Sequence, residues 1–285
     1  MRIIFARKLG FCSGVKRAIS LAQSISARAT GKGTRATPVY TLGPLIHNPQ
    51  EVERLERLGI RAISSLKQIK TGTLIVPSHG LPQPILNRIN KMQVKLVDAT
   101  CPFVKRAQLL AQRLHKRGYH VVIVGQKSHP EVISLISFAK GRASVVGSPG
   151  GVERIRTNRR VGVISQTTQW VENFENIVRR LKTKTKSYKI YDTICKETSR
   201  RQKETRELAE KSDLVIVIGG KNSANTARLY NICNKVTCSY HIESAGELRP
   251  EWLDKREVVG VTAGTSTPDW VIRNVINELR RSKPH

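Results

Sequence analysis

At 285 residues, with 39% hydrophobic and 25% charged residues, the chain can bury a sizeable core and reads as soluble and globular. No long uninterrupted apolar run is present, which excludes a membrane-spanning helix, and the strand-like start leaves no room for a leader, so a cytoplasmic location is expected. The formal net charge is +29, but the basic residues are spread along the whole chain and only 5% of residues are aromatic. That pattern excludes a basic tail or a base-stacking platform, makes nucleic acid unlikely as a partner, and leaves a solvated basic surface, an acidic protein partner or an anionic substrate.

Residues 2–5 form a strand-like run, Cys12 follows, and a helical pattern starts directly after it. An apolar strand at 37–44 leads through a polar corner containing His47 into a second helix. Strand signals at 60–65 and from 72 follow, the latter ending in a corner with His79 before a helix at 84–92. The pattern then restarts. A strand at 95–98 enters Cys101 and its helix, a strand at 119–126 ends in a corner with His129 and Glu131, and strands at 143–148 and from 161 lead to Thr167 and Thr168. The third pass has a strand at 189–192, Cys195 and its helix, and a strand from 213 ending in a corner with Ser223 and Asn225. It closes with strands at 238–244 and from 258, the last reaching Ser266. A helical stretch is expected between the third and fourth strands of each pass.

The three cysteines thus recur about every 90 residues, each at a strand-to-helix corner. Short apolar strands alternating with helices predict an α/β fold with mainly parallel sheets covered on both faces, and ligands beyond the carboxyl ends of the strands. The expected divisions are 13–100, 101–194 and 195–285, the last completed by 1–12. No C-x-x-C occurs, so a metal would need ligands from distant segments. A cysteine at a helix start favours thiolate, and three thiolates suit either a [4Fe–4S] cluster with one open iron or a zinc site. Cys233 and Cys238 have no counterparts in the other passes and read as ordinary core thiols. His47, His79 and His129 with Thr167, Ser223, Asn225 and Ser266 make a donor-rich set suited to a phosphate or diphosphate. Lys221 beside two glycines hints at phosphate binding, although no Walker loop is present. Glu131 is the one acid at a corner and the natural general acid.

Together the segments GFCSGVKRAI (10–19), GPLIHNPQEV (43–52), SHG (78–80), DATCPFV (98–104), SHPEV (128–132), SQTT (165–168), TIC (193–195), GGKNSANTARL (219–229) and GVTAGTSTP (260–268) resemble the 4-hydroxy-3-methylbut-2-enyl diphosphate reductase family. The resemblance implies three α/β units arranged as a trefoil around a central iron–sulfur cluster, with the strand entering each cysteine belonging to the preceding unit's sheet. It implies Cys12, Cys101 and Cys195 as cluster ligands with one iron open to substrate. His47, His79 and His129 become substrate-pocket histidines, Ser223, Asn225 and Ser266 diphosphate contacts, and Thr167 with Glu131 a hydroxyl relay in which Glu131 supplies the proton. Ala224 departs from the family, which often has serine there.

The implied reaction is reductive removal of the substrate's hydroxyl, giving isopentenyl and dimethylallyl diphosphate. Electrons would come from an external one-electron donor, a ferredoxin or flavodoxin steered by the basic surface, since the chain carries no flavin or nicotinamide fingerprint. An iron–sulfur hydro-lyase and a nucleic-acid-binding protein with a structural cluster are the rival readings.

Overall fold

The computed structural model describes residues 1–29, 37–155 and 160–282. His285, one of the histidines away from the corners, lies outside them. Twelve strands and nine α-helices occur among the described residues. The first pass runs β1 (Arg2–Phe5), α1 (Ser13–Ala29), β2 (Val39–Leu42), α2 (Pro49–Arg57), β3 (Ile60–Ile63), β4 (Thr73–Val76) and α3 (Gln83–Ile89). The second comprises β5 (Lys95–Asp98), α4 (Pro102–Lys116), β6 (His120–Val124), α5 (Pro130–Phe138), β7 (Ala143–Val146), β8 (Val161–Ser165) and α6 (Val171–Lys184). The third is β9 (Tyr188–Ile190), α7 (Lys196–Ala209), β10 (Leu214–Ile218), α8 (Ala224–Asn234), β11 (Cys238–Ile242), β12 (Val258–Ala263) and α9 (Asp269–Arg281).

The strands form three four-stranded sheets, every pair parallel. Their orders are β3-β2-β4-β5, β7-β6-β8-β9 and β11-β10-β12-β1, so the same topology occurs three times. The strand entering each cysteine is an edge strand of the preceding pass's sheet, and β1 pairs with β12 from Arg2 opposite Val258 to Phe5 opposite Val261. By its internal contacts the chain forms two compact units. One comprises Met1–Lys16, Ile46–Glu53 and Lys196–His285, and the other Arg17–Leu45 and Arg54–Cys195. The sheet containing β10 lies in the first unit and the other two sheets in the second.

Central strands are mostly apolar because helices cover both faces, and β10 is wholly so. In β10, Leu214, Ile216 and Ile218 pack towards Val271, Val275 and Leu279 of α9, while Val215 and Val217 pack with Leu208 of α7 and Leu229 and Cys233 of α8. In the second pass Val122 and Val124 meet Phe174, Ile177 and Leu181 of α6, while Val121 and Ile123 meet α4 and α5. The helix after the cysteine approaches its sheet closely enough to need glycine on the strand. A Cβ at Gly162 would lie 2.6 Å from the Leu114 side chain, and one at Gly260 would lie 2.5 Å from Ser212 Oγ and 3.1 Å from Leu208.

One expectation is corrected. Among the described residues, the helical stretches between third and fourth strands are short 3₁₀ turns rather than α-helices: Leu66–Gln68, Pro149–Arg154, and Ala245–Glu247 with Pro250–Leu253. Each is too short to close several α-helical turns. Ser65 with Gln68 and Ser244 with Glu247 instead form capping boxes that satisfy the turn by themselves.

Candidate functional site

The chain steps from β2 to β3 on one side and returns to β4 on the other, so the direction of winding reverses between β2 and β4. The same reversal falls between β6 and β8 and between β10 and β12. Parallel sheets bind ligands outside the carboxyl ends of strands at such reversals. The corners singled out from the sequence flank these points: His47 and His79 follow β2 and β4, Glu131 and Thr167 follow β6 and β8, and Ser223 and Ser266 follow β10 and β12.

Each cysteine stands immediately before a helix and is a half-buried thiol. Their backbone settings are equivalent. Cys101 N–H donates to Ser78 O at 2.9 Å, Cys195 N–H to Thr167 O at 2.9 Å, and Cys12 N–H to Thr265 O at 3.1 Å. In every pass, therefore, the residue carrying the thiol is fastened to the corner at the end of the neighbouring strand. Among the described residues no three His, Cys, Asp or Glu side chains stand together as a ready metal site. The three cysteines share one residue type and matched local settings.

In the second unit the structure brings Glu131, Thr167 and His129 together. Glu131 is 2% exposed, and its Oε1 accepts Thr167 N–H at 2.6 Å while Oε2 accepts Thr167 Oγ1–H at 2.9 Å. His129 caps α5, its Nδ1 accepting Glu131 N–H at 3.1 Å, so a neutral ring carries its proton on Nε2. His79 is also buried, one residue past the carbonyl that fastens Cys101.

The first unit brings together His47, Ser223 and Ser266. Ser266 Oγ donates to His47 O at 3.1 Å and stands 3.5 Å from Ser223 Oγ. Ser223 caps α8, accepting Thr226 N–H at 3.3 Å. Asn225 lies in the first turn of α8, is 3% exposed, and has neither amide oxygen nor amide nitrogen hydrogen-bonded. A buried amide with no partner is costly and calls for a ligand polar group or water. Helix-start donors, two hydroxyls and an unsatisfied amide together suit an anionic oxygen group. Burial holds His47 below the ordinary histidine value.

Two sequence readings change. Cys238 is exposed at the start of edge strand β11, not in the core, whereas Cys233 is buried and its thiol is pushed up to about 12 by burial. Lys221 is turned to its own neighbourhood, Nζ lying 2.7 Å from Glu247 Oε2 and its N–H donating to Glu243 at 2.7 Å. The sequence reading missed Gln166, which is fully buried behind Thr167. Gln166 Oε1 accepts Gln126 N–H at 3.2 Å and Nε2 donates to Thr168 Oγ1 at 3.0 Å. It also missed Arg201, buried in a helix whose sequence is almost wholly polar. Burial and hydrogen-bond partners in the folded chain identify both.

The family model described as LytB protein matches residues 3–280. A 4-hydroxy-3-methylbut-2-enyl diphosphate reductase of Geotalea uraniireducens (strain Rf4) is 43% identical over 282 residues, covering 99% of this chain and 98% of its own length. The enzyme of the same name from Aquifex aeolicus (strain VF5) is 43% identical over 283 residues, covering 98% and 96%. A solved structure described as (E)-4-hydroxy-3-methyl-but-2-enyl diphosphate reductase, the terminal enzyme of the non-mevalonate pathway, aligns with TM-score 0.69 at 42% identity over 99% of this chain and 100% of that one. The E-1-hydroxy-2-methyl-but-2-enyl-4-diphosphate reductase of Plasmodium falciparum aligns with TM-score 0.90 at 25% identity, covering 97% and 87%.

Proposed function

The chain belongs to the LytB protein family, and on that premise we propose that it acts as its relatives are named, reducing 4-hydroxy-3-methylbut-2-enyl diphosphate. Two electrons and two protons remove the substrate's hydroxyl as water and leave isopentenyl or dimethylallyl diphosphate, the last step of the methylerythritol phosphate route. The structural observation that carries this reading is the unpartnered amide of Asn225, buried beside Ser223 and Ser266 at the start of α8. An anion accepting from Asn225 Nδ2 and from the first amides of the helix would relieve that cost. Ala224 supplies no side-chain donor, so Ser223, Asn225, Ser266 and His47 take the diphosphate, with His79 and His129 as further pocket groups.

Cys12, Cys101 and Cys195, each standing immediately before a helix, would hold a [4Fe–4S] cluster through three thiolates. Such a group supplies electrons and, at an iron without a cysteine, Lewis acidity towards a hydroxyl. The remaining steps fall to side chains. Thr167 Oγ1–H donates to Glu131 Oε2. When Glu131 carries a proton the direction of that bond can reverse, so the pair can pass a proton towards a hydroxyl that bonds Thr167. His129 buttresses the relay through its bond from Glu131 N–H. The depth of Glu131 keeps bulk water from exchanging that proton freely.

The pseudo-repeat divides as 13–100, 101–194 and 195–285 with 1–12, and the sheet membership of β1, β5 and β9 supports that division. Electrons come from an external carrier, a ferredoxin or flavodoxin, which the +29 charge would steer. Among the described residues no helix is long and apolar enough to cross a membrane, and the cytoplasm keeps such thiols reduced. Supplying the allylic diphosphate with a chemical one-electron reductant under anaerobic conditions tests the reaction. Two electrons consumed per product are expected, and turnover without electron demand would instead indicate a hydro-lyase.

A further inference from the structure

We propose that Arg201 is the positioning residue for Cys12, a role that rests on the cluster reading above and extends it to the helix that follows Cys195. Arg201 is 3% exposed in α7. Its two terminal nitrogens reach two backbone carbonyls, Nη2 donating to Gly10 O at 2.7 Å and Nη1 to Ala263 O at 3.1 Å, and Glu197 Oε1 lies 3.4 Å from Nη2. Gly10 is two residues before Cys12, and Ala263 is two residues before Thr265, the residue whose carbonyl accepts Cys12 N–H. The guanidinium and the Cys12–Thr265 bond are therefore two successive rungs joining the same two segments, the loop into Cys12 and the end of β12.

Burying a guanidinium is costly unless its donors are met; here Nε has no partner among the described residues and both terminal nitrogens go to backbone carbonyls, a two-carbonyl grip that a planar fork holds and an ammonium on a flexible stem cannot. The loop approaches α9 so closely that only glycine fits at its turn. Gly10 has φ +76, and a side chain there would collide with the Asp269 carboxylate. A weaker counterpart holds the loop into Cys101. Arg17 of α1, five residues past Cys12, donates to Thr100 O at 3.2 Å and to Asp98 O at 3.4 Å. The segment before Cys195 is held differently, Tyr191 packing with the apolar cluster that includes Ala107 and Ala111 of α4. Arg201 is the deeply buried one of the two arginine clamps, so its loss loosens Cys12 selectively.

The test uses the full chain without cluster, under anaerobic conditions, as wild type, Arg201→Met and Arg201→Lys. Alkylation rates of Cys12, Cys101 and Cys195 are read separately by peptide mass spectrometry. Local opening of the loop predicts a Cys12 rate about tenfold higher in Arg201→Met, partial rescue by Arg201→Lys, and Cys101 and Cys195 within about twofold of wild type. Iron uptake on reconstitution falls in the same order. A Cys12 rate unchanged in both variants, or a rise shared equally by all three thiols, overturns the proposal. If Arg201→Met fails to fold, the selective rise in Arg201→Lys decides it in the same way. Iron-free wild-type protein after reconstitution would sink the cluster reading instead, and the alkylation pattern would still report on the clamp.

Discussion

Glu131 and Thr167 form a two-point pair, the carboxylate taking the threonine's amide on one oxygen at 2.6 Å and its hydroxyl on the other at 2.9 Å. Because the same Thr167 offers its carbonyl to Cys195 N–H, the acid, the hydroxyl and one cysteine are fixed by a single residue. Thr167→Val keeps the shape and the backbone bond but removes the hydroxyl donor from a buried carboxylate. The expected cost is about 1–3 kcal/mol in unfolding free energy, read by urea denaturation, together with a fall in turnover. Full turnover in this variant would remove Thr167 from the proton path.

Glu131→Gln leaves an isostere that cannot deliver a proton. Substrate affinity should be nearly unchanged, while turnover falls by roughly 10²–10⁴, the usual worth of a positioned acid. Measuring kcat and KM separately distinguishes this from a binding defect, which would raise KM instead.

Asn225→Ala makes a prediction of mixed sign. The amide is buried without a partner in the ligand-free protein, so its removal should hold or raise the melting temperature. The same change should raise KM for the diphosphate substrate. A loss of stability with an unchanged KM would show that the amide serves the fold.

Acid sensitivity should trace in part to His47. Burial lowers its pKa below the ordinary value of 6.5, so below that pH the unfolded chain binds a proton that the folded protein resists. Its contribution to stability is therefore complete above about pH 6.5 and is lost as the pH falls below it. The urea midpoint of wild type should drop between pH 7.5 and 5.5 more than that of His47→Asn, and equal drops would contradict the assignment.

The cysteines outside the three corners should separate cleanly by reactivity. With its thiol pushed up to about 12 by burial, Cys233 should resist alkylation at pH 8 until denaturant is added, whereas Cys238, exposed on β11, should react in the native protein.

The strands were legible because the first strand after each cysteine's helix is a short, mostly apolar run followed by glycine, as at 214–218, which suits a doubly covered parallel strand. The corners were legible because a polar stretch carrying His47, His129 or Ser223 follows the first apolar strand after each cysteine's helix. The 3₁₀ turns were not, since a three-residue turn such as Leu66–Gln68 has no periodicity to read. Arg201 was hidden for the opposite reason. Helix α7 carries so many charges that nothing in its sequence marks which one faces inward, and only the carbonyls of Gly10 and Ala263 reveal it. Cys238 was misread because thiols are usually buried, whereas an edge strand offers its first residue to solvent.

The most direct measurement is iron and sulfide analysis of anaerobically purified or reconstituted protein, with absorption and paramagnetic resonance spectra recorded before and after adding the allylic diphosphate. The account predicts about four iron and four sulfide per chain and a spectrum that shifts when the substrate binds. It also predicts loss of the cluster on replacing Cys12, Cys101 or Cys195, but not Cys233 or Cys238. Colourless, iron-free protein after reconstitution, or a cluster whose spectrum ignores the substrate, would contradict it.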